Sequence, residues 1–146
     1  KTRKQENYPS VLGKNKFGKA LFASEDIPAG TCVSQFYGEI FSYKDVPKEE
    51  ICHALLIKDD EWMVCPGNAR YINHSCEPNC FIGPELKIIT KTSLKKGEEL
   101  TIIYNIVSRM EYEQNPDVFF WDPRWSFDCH CKKPSCTQKV NGYLIV

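Results

Sequence analysis

Three cysteines stand within eight residues near the end of the chain, in the stretch 129–136 that reads CHCKKPSC. Thiolates this close together are soft donors suited to one ion, and a structural zinc site wants four ligands in a tetrahedron. The tail offers Cys129, Cys131 and Cys136, with Pro134 favouring a tight turn between the last two. A fourth ligand must come from elsewhere in the chain, which would tie the C-terminus to a distant segment. His130 lies between two ligands and would be strained as a donor, so it is expected to point away. Three unrelated free cysteines are the alternative reading of the same spacing.

One domain is what 146 residues allow, enough for a real core but not for two. Eight cysteines would also fit four disulfides in a secreted protein. The N-terminus carries no apolar export stretch, however, and the cysteine density falls short of small disulfide-stapled scaffolds. The reading is a reduced, zinc-carrying chain, intracellular in nucleus or cytoplasm. Lysine plus arginine and aspartate plus glutamate number 19 each, a formal net charge of zero. A dedicated nucleic-acid binder shows a basic excess, so no direct sequence-specific binding of nucleic acid is expected. A zinc-ribbon binder would also need a second cysteine pair. The one basic cluster, KTRK at 1–4, reads as a solvated, partly disordered terminus. No apolar run spans a bilayer, so no membrane partner is expected. The oligomeric state is not set by the sequence.

The chain reads as mostly β, a β-rich α+β fold of short pieces. Residues 19–24 (KALFAS) alternate as a half-buried strand does, and IPAG at 27–30 is a turn. TCVSQFYGEIFS, 31–42, reads as one long or bent strand with Gly38 a bulge or a point of close approach. Asp45, Pro47 and Glu49 open a short helix through KEEICHALL. Residues 86–92 and 100–104 are strand-like, with LKKGEE as the turn between them. Ser108 with Glu111 matches a capping box, so a short helix ends before Pro116. An aromatic run, FFWDPRWSF at 119–127, and an apolar end, NGYLIV, complete the chain.

Two other segments concentrate chemistry. RYINHSCEPNC, 70–80, packs an arginine, two asparagines, a histidine and two cysteines into eleven positions. Asparagine and histidine most often cap turns or satisfy buried backbone, and a binding site competes with that reading. GEELTIIY, 97–104, ends in Tyr104, which by itself suits core packing with its hydroxyl tied to backbone.

In this order, RYINHSCEPNC, GEELTIIY and CHCKKPSC resemble the SET-domain protein-lysine methyltransferases with a post-SET zinc tail. The likeness extends to KNKFGKALFASEDIPAGT and to FYGEI at 36–40, so matching segments run over 13–136. It implies a SET fold of several small sheets over 8–105, with the NHSC and GEEL segments threaded past each other in a pseudoknot. A linker over 106–128 carries the short helix and aromatic run, and a zinc-bound post-SET tail covers 129–146. The resemblance nominates Cys76 as fourth zinc ligand, with Cys80 as the fallback. It implies S-adenosylmethionine as cofactor, its amino and adenine parts met by Asn73 and His74, with Arg70 anchoring the segment. Lys16, Phe17 and Gly18 correspond to the first cofactor motif. Lys16 replaces a common glycine and is a candidate to face the cofactor carboxylate. Tyr104 is implied as the catalytic tyrosine beside the cofactor, and Ile103 stands where the family often has aspartate. Phe127 and Tyr143 are candidates to cover the adenine and close the lysine channel, core packing around zinc being as good an account of them.

The implied activity is methylation of the lysine amine of a protein or peptide substrate, a histone tail among the candidates. Phe36 and Ile102 would line the channel with Tyr104. Neither carries a hydroxyl to hold the amine or a blocking water, so di- or trimethyl product is expected. The insert over 42–58 is short. Nearby Asp45, Glu49, Glu50, Asp59, Asp60 and Glu61 suit a basic tail or simply a solvated surface. The alternative function is a catalytically silent SET-like zinc module that binds a peptide or partner, since a fold does not settle a function.

Overall fold

The computed structural model describes residues 8–146, so the basic cluster at 1–4 lies outside the described residues. In chain order the strands are β1 (Ser10–Asn15), β2 (Gly18–Ala23), β3 (Cys32–Gln35), β4 (Glu39–Phe41), β5 (Leu55–Lys58), β6 (Glu61–Val64) and β7 (Asn73–His74). There follow β8 (Cys80–Ile82), β9 (Lys87–Thr90), β10 (Thr101–Ile102), β11 (Ile106–Val107), β12 (Phe127–Asp128), β13 (Lys139–Val140) and β14 (Leu144–Ile145). The one α-helix among the described residues, α1 (Arg109–Gln114), sits between β11 and β12. The strands form four two-stranded and two three-stranded sheets. This is the expected fold class of several small sheets.

β1 and β2 form an antiparallel hairpin. β2 departs from simple alternation, because Ala20 and Leu21 are both fully buried. The stretch expected as one strand over 31–42 is two strands in different sheets. β3 pairs with β9, and β4 pairs with β6. The break is at Gly38, whose φ is +147°, and a Cβ there would lie 2.1 Å from the Val64 carbonyl oxygen. Only glycine permits that approach, and the close packing turns the chain from one sheet into the other.

The expected helix through 48–56 is a 3-10 segment, Lys48–His53, that stops early. Leu55 and Leu56 pair with Met63 and Trp62, so cross-strand packing takes those residues into the β5–β6 hairpin. The strand expected over 100–104 is two residues long, and Tyr104 stands beyond its end. The Ser108 N-cap forms: its Oγ accepts from Glu111 N at 3.1 Å and donates to the Glu111 carboxylate at 3.0 Å, and the helix ends before Pro116.

Two apolar clusters hold these pieces. The larger contains Leu21, Val33, Phe36, Met63, Ile72, Ile88, Leu100 and Ile102, with Tyr104 packed against it. The smaller holds Val46, Ile51 and Trp62, with Tyr43 and Trp125 against it. The aromatic run over 119–127 is thereby seated on the chain around residues 43–62. Trp125 Nε1 donates to the Ile51 carbonyl at 3.1 Å, and the Tyr43 hydroxyl donates to Asp122.

Candidate active site and metal centre

β7 and β10 run parallel, pairing Thr101 with Asn73 and Ile102 with His74. This brings the NHSC and GEEL segments side by side. The Tyr104 backbone N–H donates to His74 Nδ1 at 2.9 Å, and the Tyr104 hydroxyl donates to the Ile72 carbonyl. Burial, and then Glu99, push the Tyr104 hydroxyl above the ordinary phenol range. It therefore stays protonated at neutral pH. Burial lowers the His74 pKa, favouring the neutral ring. Because Nδ1 accepts, a neutral ring carries its proton on Nε2, which lies 3.5 Å from Cys76 Sγ. His74 thus links Tyr104 to the cysteine cluster.

His74, Tyr104 and Phe127 pack edge to face, with ring centroids 5.4–5.7 Å apart. Tyr143 has Phe119 and Trp121 as its ring neighbours, and burial pushes its hydroxyl up to about 12. Phe36 and Ile102 are buried in the larger core cluster, against which Tyr104 packs. Arg70 pairs with Glu50 at 2.6 Å and donates to the Cys65 carbonyl at 3.4 Å, which anchors the segment on Lys48–His53.

The turn of the β1–β2 hairpin presents Lys16, Phe17 and Gly18. Phe17 is 59% exposed and stacks on His130, centroids 4.5 Å apart and planes 9° from parallel. His130 therefore turns away from the cysteines, as expected. Lys16 Nζ lies 5.3 Å from the Phe17 ring centre.

The sulfur atoms of Cys76, Cys129, Cys131 and Cys136 all lie within 4.8 Å of one another. A tetrahedron of zinc–sulfur bonds has sulfurs about 3.8 Å apart. The Cys76–Cys129 pair stands at 3.8 Å. Backbone N–H groups of Thr137 and Gln138 point at Cys76 and Cys136, each at 3.4 Å, the donors a thiolate would take. Burial pushes Cys129 up to about 12. At Cys131 burial also pushes upward, but hydrogen bonds from the Cys76 and Lys133 backbone and from neighbouring thiols outweigh it and bring the group down to about 6. All four donors are soft and clustered, so the donor set fits zinc. Cys80, the fallback, is buried at the start of β8 with Asn79 Oδ1 3.4 Å from its sulfur, and is not among these four.

Sequence reasoning passed over two carboxylates here. Glu99 accepts from Asn15 Nδ2 at 3.1 Å and from Asn73 Nδ2 at 2.9 Å. Glu77 accepts from the Ser135 N–H at 2.9 Å and hydroxyl at 2.7 Å, a second tie between the NHSC segment and the tail. Both stand inside motifs already singled out, but an acidic side chain near a turn carries no periodic signal of its own.

A sequence model of the SET domain matches residues 18–105. The chain is 31% identical, in a 159-residue alignment covering 96% of it, to a histone-lysine N-methyltransferase specific for H3 lysine 36 from Cryptococcus neoformans. A Schizosaccharomyces pombe protein of the same description is 29% identical over 90% of the chain. The histone-lysine N-methyltransferase set1 of Dictyostelium discoideum is 33% identical over 83%. The chain spans only 17%, 17% and 8% of the lengths of these three relatives. A crystal structure of a candidate histone methyltransferase from Plasmodium falciparum superposes with a TM-score of 0.57. It is 16% identical, covering 66% of this chain and 93% of that one, and speaks for the fold alone.

Proposed function

The chain belongs to the SET-domain family, and on that premise we propose that it methylates the side-chain amine of lysine in a protein substrate, using S-adenosylmethionine. The observation that carries the reading is the convergence of Asn73, His74 and Tyr104 through one parallel strand pair. The names of the relatives support a histone as substrate, and such a substrate puts the work of this chain on chromatin. Residues 8–105 would form the catalytic body, 106–128 the linker and 129–146 a zinc-bound tail.

S-adenosylmethionine supplies the electrophilic methyl group when bound. Asn73, His74 and the turn at Lys16, Phe17 and Gly18 would hold it, with Phe127 and Tyr143 the candidates to cover the adenine and close the lysine channel. Arg70 acts by fixing the segment. The chain must also present a neutral amine. A free lysine has a pKa of about 10.4, so deprotonation at pH 7 costs roughly 4.6 kcal/mol. An apolar channel lowers that cost by disfavouring the charged form, and Phe36 and Ile102 supply such walls. The Tyr104 hydroxyl spends its proton on the Ile72 carbonyl, so its oxygen is what it offers to the reacting groups. Fixed oxygens of this kind stabilise charge as it moves in the transition state. With no hydroxyl on Phe36 or Ile102, we read the channel as admitting di- and trimethylation.

Four clustered thiols support one zinc held by Cys76, Cys129, Cys131 and Cys136. The silent-module alternative has no specific observation in its favour. Incubating the protein with S-adenosylmethionine and histone peptides, then reading mass shifts, tests the reading. Methyl addition abolished in Tyr104→Phe is expected. A folded wild type that binds S-adenosylmethionine yet methylates neither histones nor lysate proteins would overturn it.

A further inference from the structure

An asparagine amide can sit in two orientations, and its surroundings decide whether it shows a ligand a donor or an acceptor. Asn73 Nδ2 faces Glu99 Oε2 at 2.9 Å and the Lys19 carbonyl at 3.2 Å. Both partners only accept. The reversed amide would set its oxygen against two other oxygens, so this orientation is fixed. Both amide hydrogens are then committed within the protein, and Oδ1 is the atom left for a ligand.

The other carboxylate oxygen does a parallel service. Glu99 Oε1 accepts from Asn15 Nδ2 at 3.1 Å, while Asn15 Oδ1 accepts the Phe17 backbone N–H at 2.7 Å. One carboxylate thus orients Asn73 and, through Asn15, braces the turn that carries Lys16, Phe17 and Gly18. Glu99 is itself held. Its carbonyl accepts from Asn79 Nδ2 at 2.9 Å, and its neighbour Leu100 is fully buried.

We propose that Glu99 is a positioning residue for the cofactor site. It makes Asn73 a hydrogen-bond acceptor, which selects a donor group such as a ligand's ammonium, and it locks the 15–18 turn at the spacing that ligand needs. The inference rests on the proposed cofactor site, and it adds a residue and a polarity to it.

Glu99→Gln tests it, because glutamine keeps the shape but turns one acceptor into a donor facing a donor. Calorimetry with S-adenosylmethionine should show affinity falling about 10-fold or more, the scale of a lost hydrogen bond to a charged group. At saturating cofactor, kcat should change less than about twofold, since the effect falls on binding. Glu99→Gln placed in an Asn73→Ala background should cost less than about threefold, because residues acting as one unit are not additive. Glu99→Asp should restore part of the affinity. A merely structural role would lower Tm without this KM-against-kcat split or this coupling. In the unliganded wild type, nitrogen-15 NMR should show the Asn73 side-chain hydrogens exchanging more slowly than those of a free asparagine. Unprotected exchange, wild-type affinity in Glu99→Gln, or full additivity with Asn73→Ala would each overturn the proposal. A wild type that shows the protected amide but binds no S-adenosylmethionine would instead sink the cofactor reading.

Discussion

At Tyr104 one side chain is held from three directions, by a backbone carbonyl, by the His74 ring beside its own amide and by Phe127. Its hydroxyl is fixed in place before any substrate arrives, which is the condition for stabilising a transition state rather than a ground state. Tyr104→Phe should therefore leave S-adenosylmethionine affinity within about twofold and lower kcat by about 100-fold or more, of the order seen when one fixed polar group aimed at the transition state is lost. Asn73→Ala should show the opposite emphasis, with affinity falling first. Single-turnover kinetics beside calorimetry separates the two, and equal losses of affinity in both variants would contradict the assignment. Candidates of this kind could be named from the sequence because a motif quotes them in order. Glu99 stands in the same motif but could not be, since what it does depends on Asn15 and Asn73, 84 and 26 positions away. No local pattern encodes such a meeting.

The elements were legible where local chemistry decides them, as at the Ser108 N-cap. They were less so where distant packing decides, as at β5, where pairing with Trp62 and Met63 cut a helix short. Gly38 is the sharpest case, since a strand-like stretch is broken by an approach to Val64 that only the fold creates. Gly38→Ala should cost about 2 kcal/mol or more, from a φ of +147° together with a backbone clash. Urea unfolding would measure it, and an unchanged midpoint would mean the two sheets can part without cost. The aromatic run over 119–127, where only Phe127 had a role legible in the sequence, is also a docking segment, with Trp125 packed against the smaller core cluster. Arg124 holds the Asp122 carboxyl well below the usual carboxylate range, against burial and with help from the Tyr43 hydroxyl. A carboxyl with a depressed folded pKa contributes stability that is complete above its unfolded pKa of about 3.9 and drains as pH falls through the folded value. The tryptophan fluorescence of this segment should hold from neutral pH down to about 4 and shift only in stronger acid. Asp122→Asn should lower stability at neutral pH and flatten that acid limb, and an unaltered limb would assign the transition to other carboxylates.

Across the whole molecule the tail is fastened to the centre at the cysteine cluster, at the Glu77–Ser135 contact and at the Phe17–His130 stack. Only the first can contribute energy on the scale of metal binding, which in small zinc domains amounts to about 10–16 kcal/mol of apparent folding free energy. Both apolar clusters are built without any residue of 129–146. Stripping zinc with a strong chelator should therefore loosen the tail and leave the central sheets folded. The damage should nevertheless reach the proposed active site, because Cys76 lies 3.5 Å from His74 Nε2, and His74 Nδ1 accepts the Tyr104 backbone N–H. A thiolate held by zinc would accept a hydrogen bond from the Nε2–H and fix the ring, as partners of metal ligands commonly do. Without the metal that restraint would weaken, and His74 and Tyr104 would lose their mutual orientation. The expected result is one zinc per chain before chelation. Afterwards, far-UV circular dichroism should be nearly unchanged while S-adenosylmethionine affinity and turnover both fall more than about 10-fold, the cost of a lost metal partner. Cys76→Ser should mimic it, whereas Cys80→Ser should keep its zinc. Full zinc content in Cys76→Ser would place the fourth ligand elsewhere. Undiminished turnover in the metal-free protein would show that the tail is fastened by its other contacts alone.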